Sequence, residues 1–337
     1  MNLKLPLLVI NWLKIAVAIV ILVVGFANNL SAQELTAEMQ TIELDGKKIY
    51  YWPPFTQRKA PLVIFSHGFG GCAENIKYFA QALAEDGYWV AAINHKDAGS
   101  CGGKKQKIQR PEEPFRDQEK WDDKIYAERK DDINSLLDSM VGNGLFLKHI
   151  NFEHVGLVGH SLGGYVAMGM GGAWQSWKSN HIKAVLALSP YSAPFIAKNT
   201  VTNISVPIMY QGGTRDVGIT PSLSKSDGAY NQTHPDKYLV ILDGASHFAW
   251  TDKITTFHPS IISYGIGFFD YYLKGNASAG KLLMEKRTDV ASLYYDNAQG
   301  KTDAPQAVIR SDTKLNGKLR ERIREKIQER VRERSQH

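Results

Sequence analysis

The stretch Val155-Gly-Leu-Val-Gly159-His160-Ser161-Leu162-Gly163-Gly164-Tyr-Val-Ala reads as a buried strand, a G-x-S-x-G turn and the start of a helix. A turn of this kind forces the serine into a strained backbone conformation at the carboxyl end of its strand, and flanking glycines leave room where side chains would collide. Ser161 is therefore expected to stand exposed at a sheet edge, with a helix N-terminus behind it. Around it, short apolar runs alternate with longer amphipathic ones. Strands are expected at Leu62 to Phe65, Trp89 to Ile93, Val155 to Val158, Ala184 to Leu188, Ile208 to Tyr210 and Tyr238 to Leu242. Helices are expected over Asn75 to Asp86, Lys130 to Met140, Leu162 to Gly172 and Ile261 to Leu273. This alternation predicts an α/β chain, a doubly wound, mostly parallel sheet with helices on both faces.

A serine hydroxyl is a weak nucleophile at neutral pH and needs a base within hydrogen-bond reach, oriented by an acid. Downstream of Ser161 the run Pro207-Ile-Met-Tyr-Gln leads into Gly212-Gly-Thr-Arg-Asp216, and Tyr238-Leu-Val-Ile-Leu242 leads into Asp243-Gly-Ala-Ser-His247. Asp216 and His247 thus each follow a strand end, in the chain order Ser, acid, His. The competing histidines His181, His234, His258 and His337 do not follow a buried strand and a Gly turn directly. Among the acids, Asp227 and Asp236 compete with Asp216, and Asp243 reads as the cap of the turn before His247. Charge developing on a carbonyl oxygen needs preorganised donors. The glycine-rich loop Ile64-Phe-Ser-His67-Gly68-Phe69-Gly70-Gly71 supplies main-chain N–H groups after a strand, and the oxyanion hole is assigned to the N–H groups of Phe69 and Leu162.

The ends of the chain account for its charge. Of 337 residues, 43% are hydrophobic and 22% charged, which excludes a disordered chain, and the formal charge is +6. Residues 1–32 carry Lys4 and Lys14 with no acid, then the apolar run Ile15 to Ala27 and the small pair Ser31-Ala32. This pattern predicts a cleaved signal peptide and a secreted or periplasmic protein, an uncleaved membrane anchor being the other reading. Residues 314–337 hold nine basic and four acidic residues in tetrads such as Leu319-Arg-Glu-Arg, which predicts a basic helical tail. Its bland reading is a solvated helix; the other is weak contact with an anionic surface. Residues 33–313, the expected catalytic body, are left with a net charge of −1. No nucleic-acid partner is expected of such a body. Within it, Asp97 to Asp123 is charged, broken by Gly and Pro, and reads as a long inserted connection of the kind that forms lids or binding loops. Neither cysteine has zinc-ligand spacing, and no phosphate- or dinucleotide-binding fingerprint occurs, so neither a metal nor a cofactor is expected.

On His67-Gly-Phe-Gly-Gly, Gly159-His-Ser-Leu-Gly-Gly, Asp216 and Ser246-His247, the sequence resembles the α/β-hydrolase superfamily from about Tyr50 to Lys274. Within it the likeness is to serine esterases related to dienelactone hydrolases, cutinase-like polyester hydrolases and platelet-activating-factor acetylhydrolases. Glu128-Arg-Lys-Asp-Asp-Ile is similar to the helix that precedes the nucleophile strand in that group. The resemblance implies hydrolysis of a small-molecule, lipid or polyester ester through an acyl-enzyme. It also implies that Phe69 shapes the acyl pocket and that Tyr191 sits near a substrate subsite. Dienelactone hydrolases proper carry a Cys nucleophile where this chain has Ser161, and the 97–123 insertion has no clear counterpart. Trp121, Trp174, Trp177 and Trp250 fall in or near expected loops; each alone reads as core packing, and Trp250, three residues after His247, is the one placed for a pocket. Cys72 follows the glycine loop and Cys101 follows the strand ending near His95, so in an exported protein they read as a disulfide, with two buried thiols as the alternative. A serine peptidase or acyltransferase shares the same triad chemistry. From another class, a binding protein on a hydrolase scaffold is the remaining reading.

Overall fold

The computed structural model describes residues 37–56, 58–99, 101 and 113–302, so the expected signal peptide and basic tail lie outside the described residues. From Glu38 onward the described body is built on one ten-stranded sheet in the order β1-β2-β4-β3-β5-β6-β7-β8-β9-β10. The strands are β1 Gln40–Leu44, β2 Lys47–Trp52, β3 Ala60–Ser66, β4 Trp89–Ile93, β5 Ile150–His160, β6 Ile182–Leu188, β7 Ile208–Gly213, β8 Lys237–Leu242, β9 Val290–Asn297 and β10 Gly300–Lys301. The six from β3 to β8 run parallel and hold every strand expected from the sequence. Strands β1 and β2 add antiparallel to one side, β9 and β10 to the other.

The central strands form because each is an apolar run with side chains covered on both faces, the pattern a parallel sheet requires. Leu62, Val63 and Ile64 of β3 and Val155 and Leu157 of β5 are fully buried. The longer helices and the helix behind Ser161 are α1 Lys77–Glu85, α2 Ala127–Gly142, α3 Leu162–Met168 and α4 His258–Leu273. Each overlaps an expected helix. Helix α3 is shorter than the span Leu162 to Gly172, because the chain passes at Gly169–Ala173 into a π turn in which Gly172 takes φ +127°. The glycine pair that suits the elbow at one end of this segment is matched by a glycine cluster that ends the helix at the other.

The sheet brings the loops after β3, β5, β6, β7 and β8 to the same carboxyl edge. That edge is where open α/β sheets place their ligand sites.

Candidate active site

Ser161 sits directly between β5 and α3 with φ +56° and ψ −116°, a conformation rarely populated by a residue with a Cβ. The surrounding backbone imposes it: the Ser161 N–H donates to Leu188 O at 3.0 Å, and its carbonyl accepts from Tyr191 N at 3.0 Å. Glycine is required next to it on steric grounds, since a Cβ on Gly163 would lie 1.9 Å from Ser66 O. The structure brings together the three side chains singled out in the sequence. His247 Nε2 lies 2.9 Å from Ser161 Oγ, and His247 Nδ1 lies 3.1 Å from Asp216 Oδ2. Asp216 is buried, whereas the His247 side chain is 29% exposed. A carboxylate on Nδ1 holds the proton there and leaves Nε2 as the acceptor for the serine hydroxyl.

Behind Ser161, the ring of His160 is buried and its Nε2–H donates to His247 O at 2.8 Å. Burial first, and then the neighbouring His247, push its pKa down to about 4, so this ring stays neutral and acts as a fixed brace for the backbone of His247.

The glycine loop after β3 lies across Ser161; a Cβ on Gly68 would be 3.3 Å from Ser161 Cβ. Its geometry is set from beneath by Arg129 of α2, which is fully buried. The guanidinium donates from Nε to Asp97 Oδ1 at 2.9 Å and from Nη2 to Asp97 Oδ2 at 2.7 Å, while Nη1 donates to His67 O at 2.6 Å and Nη2 to Gly68 O at 3.4 Å. Asp97 Oδ2 also accepts from Gly70 N at 3.3 Å. One planar fork thus ties two loop carbonyls and one loop N–H to the same ion pair, a task suited to arginine. His67 and His95 flank it. The His95 N–H donates to His67 Nε2 at 3.0 Å, which leaves His67 Nδ1–H to donate to Gly68 O at 2.8 Å. Both rings are held well below the ordinary histidine pKa, chiefly by burial and then by the Arg129 charge. They are neutral struts, and His95 Nδ1 lies 3.0 Å from Asp132 Oδ2.

The model of the dienelactone hydrolase family matches residues 49–264, which run from β2 into α4 and include Ser161, Asp216 and His247. The chain belongs to the dienelactone hydrolase family. It is a hydrolase with the α/β-hydrolase fold. No curated protein matches the chain.

In this dienelactone hydrolase family member, a cleft of about 830 Å³ opens above Ser161. Phe69, Tyr191 and Trp250 line it, together with Phe115, Ile219 and Phe248, which the sequence did not single out. Phe69 packs edge-on against Phe115 at 5.5 Å, and Phe115 against Tyr191 at 5.2 Å, so the described end of the 97–123 insertion forms one cleft wall. The Tyr191 hydroxyl donates to Phe115 O and fastens that wall to the loop after β6. Trp250 is fully buried and donates to Gln211 Oε1 at 3.0 Å, so it contributes a face of the floor. Trp121, by contrast, packs edge-on against Tyr191 at 4.9 Å beneath the wall, away from the cleft lining. Trp174 and Trp177 also lie outside that lining.

Cys72 and Cys101 are neighbours at the outer end of the glycine loop, and the Gly99 N–H donates to Gly71 O at 3.1 Å to bring the two segments together. In the structure they are thiols, not a bridge, and Cys101 is pushed up to about 12 by burial and by its hydrogen bond with Cys72.

Sequence reasoning missed Arg129 as a site residue although it lies in a segment already likened to the family. It also missed Asp97, His95 and Ser189. Ser189, His95 and Asp97 lie within four residues of a strand end and Arg129 lies inside α2, positions that carry no local signal of a role.

Proposed function

We propose that this hydrolase cleaves carboxylic esters through an acyl-enzyme on Ser161. The observation that carries this reading is the 2.9 Å approach of His247 Nε2 to Ser161 Oγ at the floor of an open cleft, with Asp216 behind the ring. His247 takes the hydroxyl proton as Ser161 attacks the ester carbonyl. The N–H groups of Phe69 and Leu162 face the oxygen that becomes negative, and the imidazolium, held by Asp216, then protonates the departing alcohol. Water enters, His247 removes its proton as the water oxygen attacks the acyl carbonyl, and the bond to Ser161 Oγ breaks as His247 returns the proton to that oxygen, releasing the acid. The apolar walls suit an ester with a hydrophobic acyl or alcohol part, such as a lipid or polyester chain.

Replacement Ser161→Ala is expected to abolish hydrolysis of short p-nitrophenyl esters, with a loss of about 10⁶ in kcat for a nucleophile acting with its base. A fluorophosphonate probe is expected to label Ser161 and nothing else. Retained turnover in that variant, or label on another residue, overturns the reading. A series of esters with graded acyl chains then measures how deep the cleft accepts substrate. Export by a cleaved leader belongs to the same proposal and is checked by the N-terminal sequence of the mature protein.

A further inference from the structure

Ser189 is the residue immediately after β6, and nothing in the triad scheme uses it. It is fully buried and holds φ +43°, a region that glycine enters without steric cost and serine does not. Its N–H donates to Gln211 O at 2.7 Å, which fixes the loop against β7, the strand that leads to Asp216. Its hydroxyl oxygen contacts two members of the triad at once: Asp216 Oδ2 at a short separation, and His247 Nδ1 at 2.9 Å.

Counting protons decides what this contact does. A serine hydroxyl has one proton and two lone pairs, and an ionised carboxylate can only accept. If Ser189 gives its proton to Asp216 Oδ2, its lone pairs face the ring, and the contact with Nδ1 requires Nδ1–H as donor. That proton then lies between Ser189 Oγ at 2.9 Å and Asp216 Oδ2 at 3.1 Å. The opposite assignment, with Ser189 donating to a bare Nδ1, sets the carboxylate against a ring lone pair and leaves Nε2 protonated against Ser161. No base remains in that arrangement.

We infer that Ser189 is a positioning residue of the catalytic centre: it accepts from His247 Nδ1–H beside Asp216 and donates to Asp216, so that the ring tautomer is held by two oxygens. The inference rests on the esterase reading above. Its consequence is redundancy. With Asp216 removed, Ser189 still presents an acceptor to Nδ1–H, and the serine base at Nε2 survives in part.

The test is a double-mutant cycle on purified full-length protein. Ser189→Ala is expected to lower kcat about tenfold with KM unchanged, the loss of one hydrogen bond to a group that becomes charged. In an Asp216→Ala background the same replacement is expected to cost a further tenfold or more. Nitrogen-15 chemical shifts of His247 are expected to show Nδ1 protonated in the parent and in either single variant, and a mixed tautomer only in the double. Ser189→Gly, which accepts φ +43° without strain, is expected to match Ser189→Ala and serves if the alanine variant does not fold. The inference is overturned if Ser189→Ala has no effect in the Asp216→Ala background, if the tautomer is already mixed in Asp216→Ala, or if Ser189→Gly restores full kcat. Absence of fluorophosphonate labelling in the parent sinks the esterase reading instead, and the nitrogen shifts still report on Ser189 independently.

Discussion

The two sides of Ser161 are held by different physics. On the proposed oxyanion side the backbone of His67 to Gly70 is clamped by a buried ion pair, Arg129 with Asp97, whose side chains are 0% and 2% exposed. On the proposed acid–base side the group is a side chain, His247, braced by hydrogen bonds to Asp216, Ser189 and, through its carbonyl, His160. Donors that meet a developing charge act best when they do not reorganise, and for the proposed donor Phe69 the flanking backbone is held by charge in a low-dielectric site. A group that takes and returns a proton needs solvent-accessible edges and a fixed tautomer, and neutral or singly charged partners supply that without freezing it.

The sharpest way to break this contrast is to remove the clamp. Arg129→Met leaves the Asp97 carboxylate buried without its partner and is expected to cost about 3–5 kcal/mol in denaturant unfolding. Arg129→Met combined with Asp97→Leu is expected to recover most of that stability, because both charges are gone, while turnover stays about a hundredfold down because the loop carbonyls are no longer held. Recovery of turnover along with stability shows that the clamp serves folding alone.

Both sides are expected to carry pH-sensitive braces, and His160 is the one behind His247. His160 is neutral in the fold with a pKa of about 4, against about 6.5 when unfolded. Above 6.5 its contribution to stability is complete; as pH falls from about 6.5 towards 4 the unfolded chain takes up a proton that the native one refuses, and about 3 kcal/mol is lost. His67 and His95 act in the same direction from the oxyanion side. Thermal unfolding followed from pH 7 to 4.5 is expected to show this fall, and His160→Gln is expected to flatten part of it. An unchanged slope in that variant removes His160 from the account.

The outer end of the glycine loop after β3 offers a smaller effect. We propose that Cys72 and Cys101, adjacent as thiols in the structure, bridge under oxidising conditions. Oxidation is expected to add about 2 kcal/mol of stability, and mass spectrometry with and without reductant is expected to show the two-hydrogen difference. The smallest change expected is at Phe248, which is 55% exposed at the cleft mouth. Phe248→Ala is expected to leave stability within about 0.5 kcal/mol and to raise KM a few-fold for long acyl esters, with kcat unaltered.

Legibility followed the same division. The strands β3 to β8 were readable because each contains a short apolar run, and those of β3, β5, β7 and β8 lead into glycine-containing turns. Ser161, Asp216 and His247 were readable because each sits in the first loop after such a run. The antiparallel strands β1, β2, β9 and β10 were not foreseen: β1, β9 and β10 are partly exposed, and their mixed polarity reads like loop. Ser189 lies in Leu188-Ser-Pro-Tyr191, a stretch that drew attention only to its tyrosine.

By itself the sequence determined the α/β alternation, the strained turn at Ser161 and the placing of Asp216 and His247 after later strand ends. These depend on periodicity and turn chemistry within a dozen residues. Only the tertiary structure decided that Arg129 reaches back 62 and 61 positions to the carbonyls of His67 and Gly68, and that Ser189 meets an acid 27 positions on and a histidine 58 positions on. A buried polar side chain has no local pattern of its own. Its partner is chosen where the strands end, and that is settled by how the sheet is ordered.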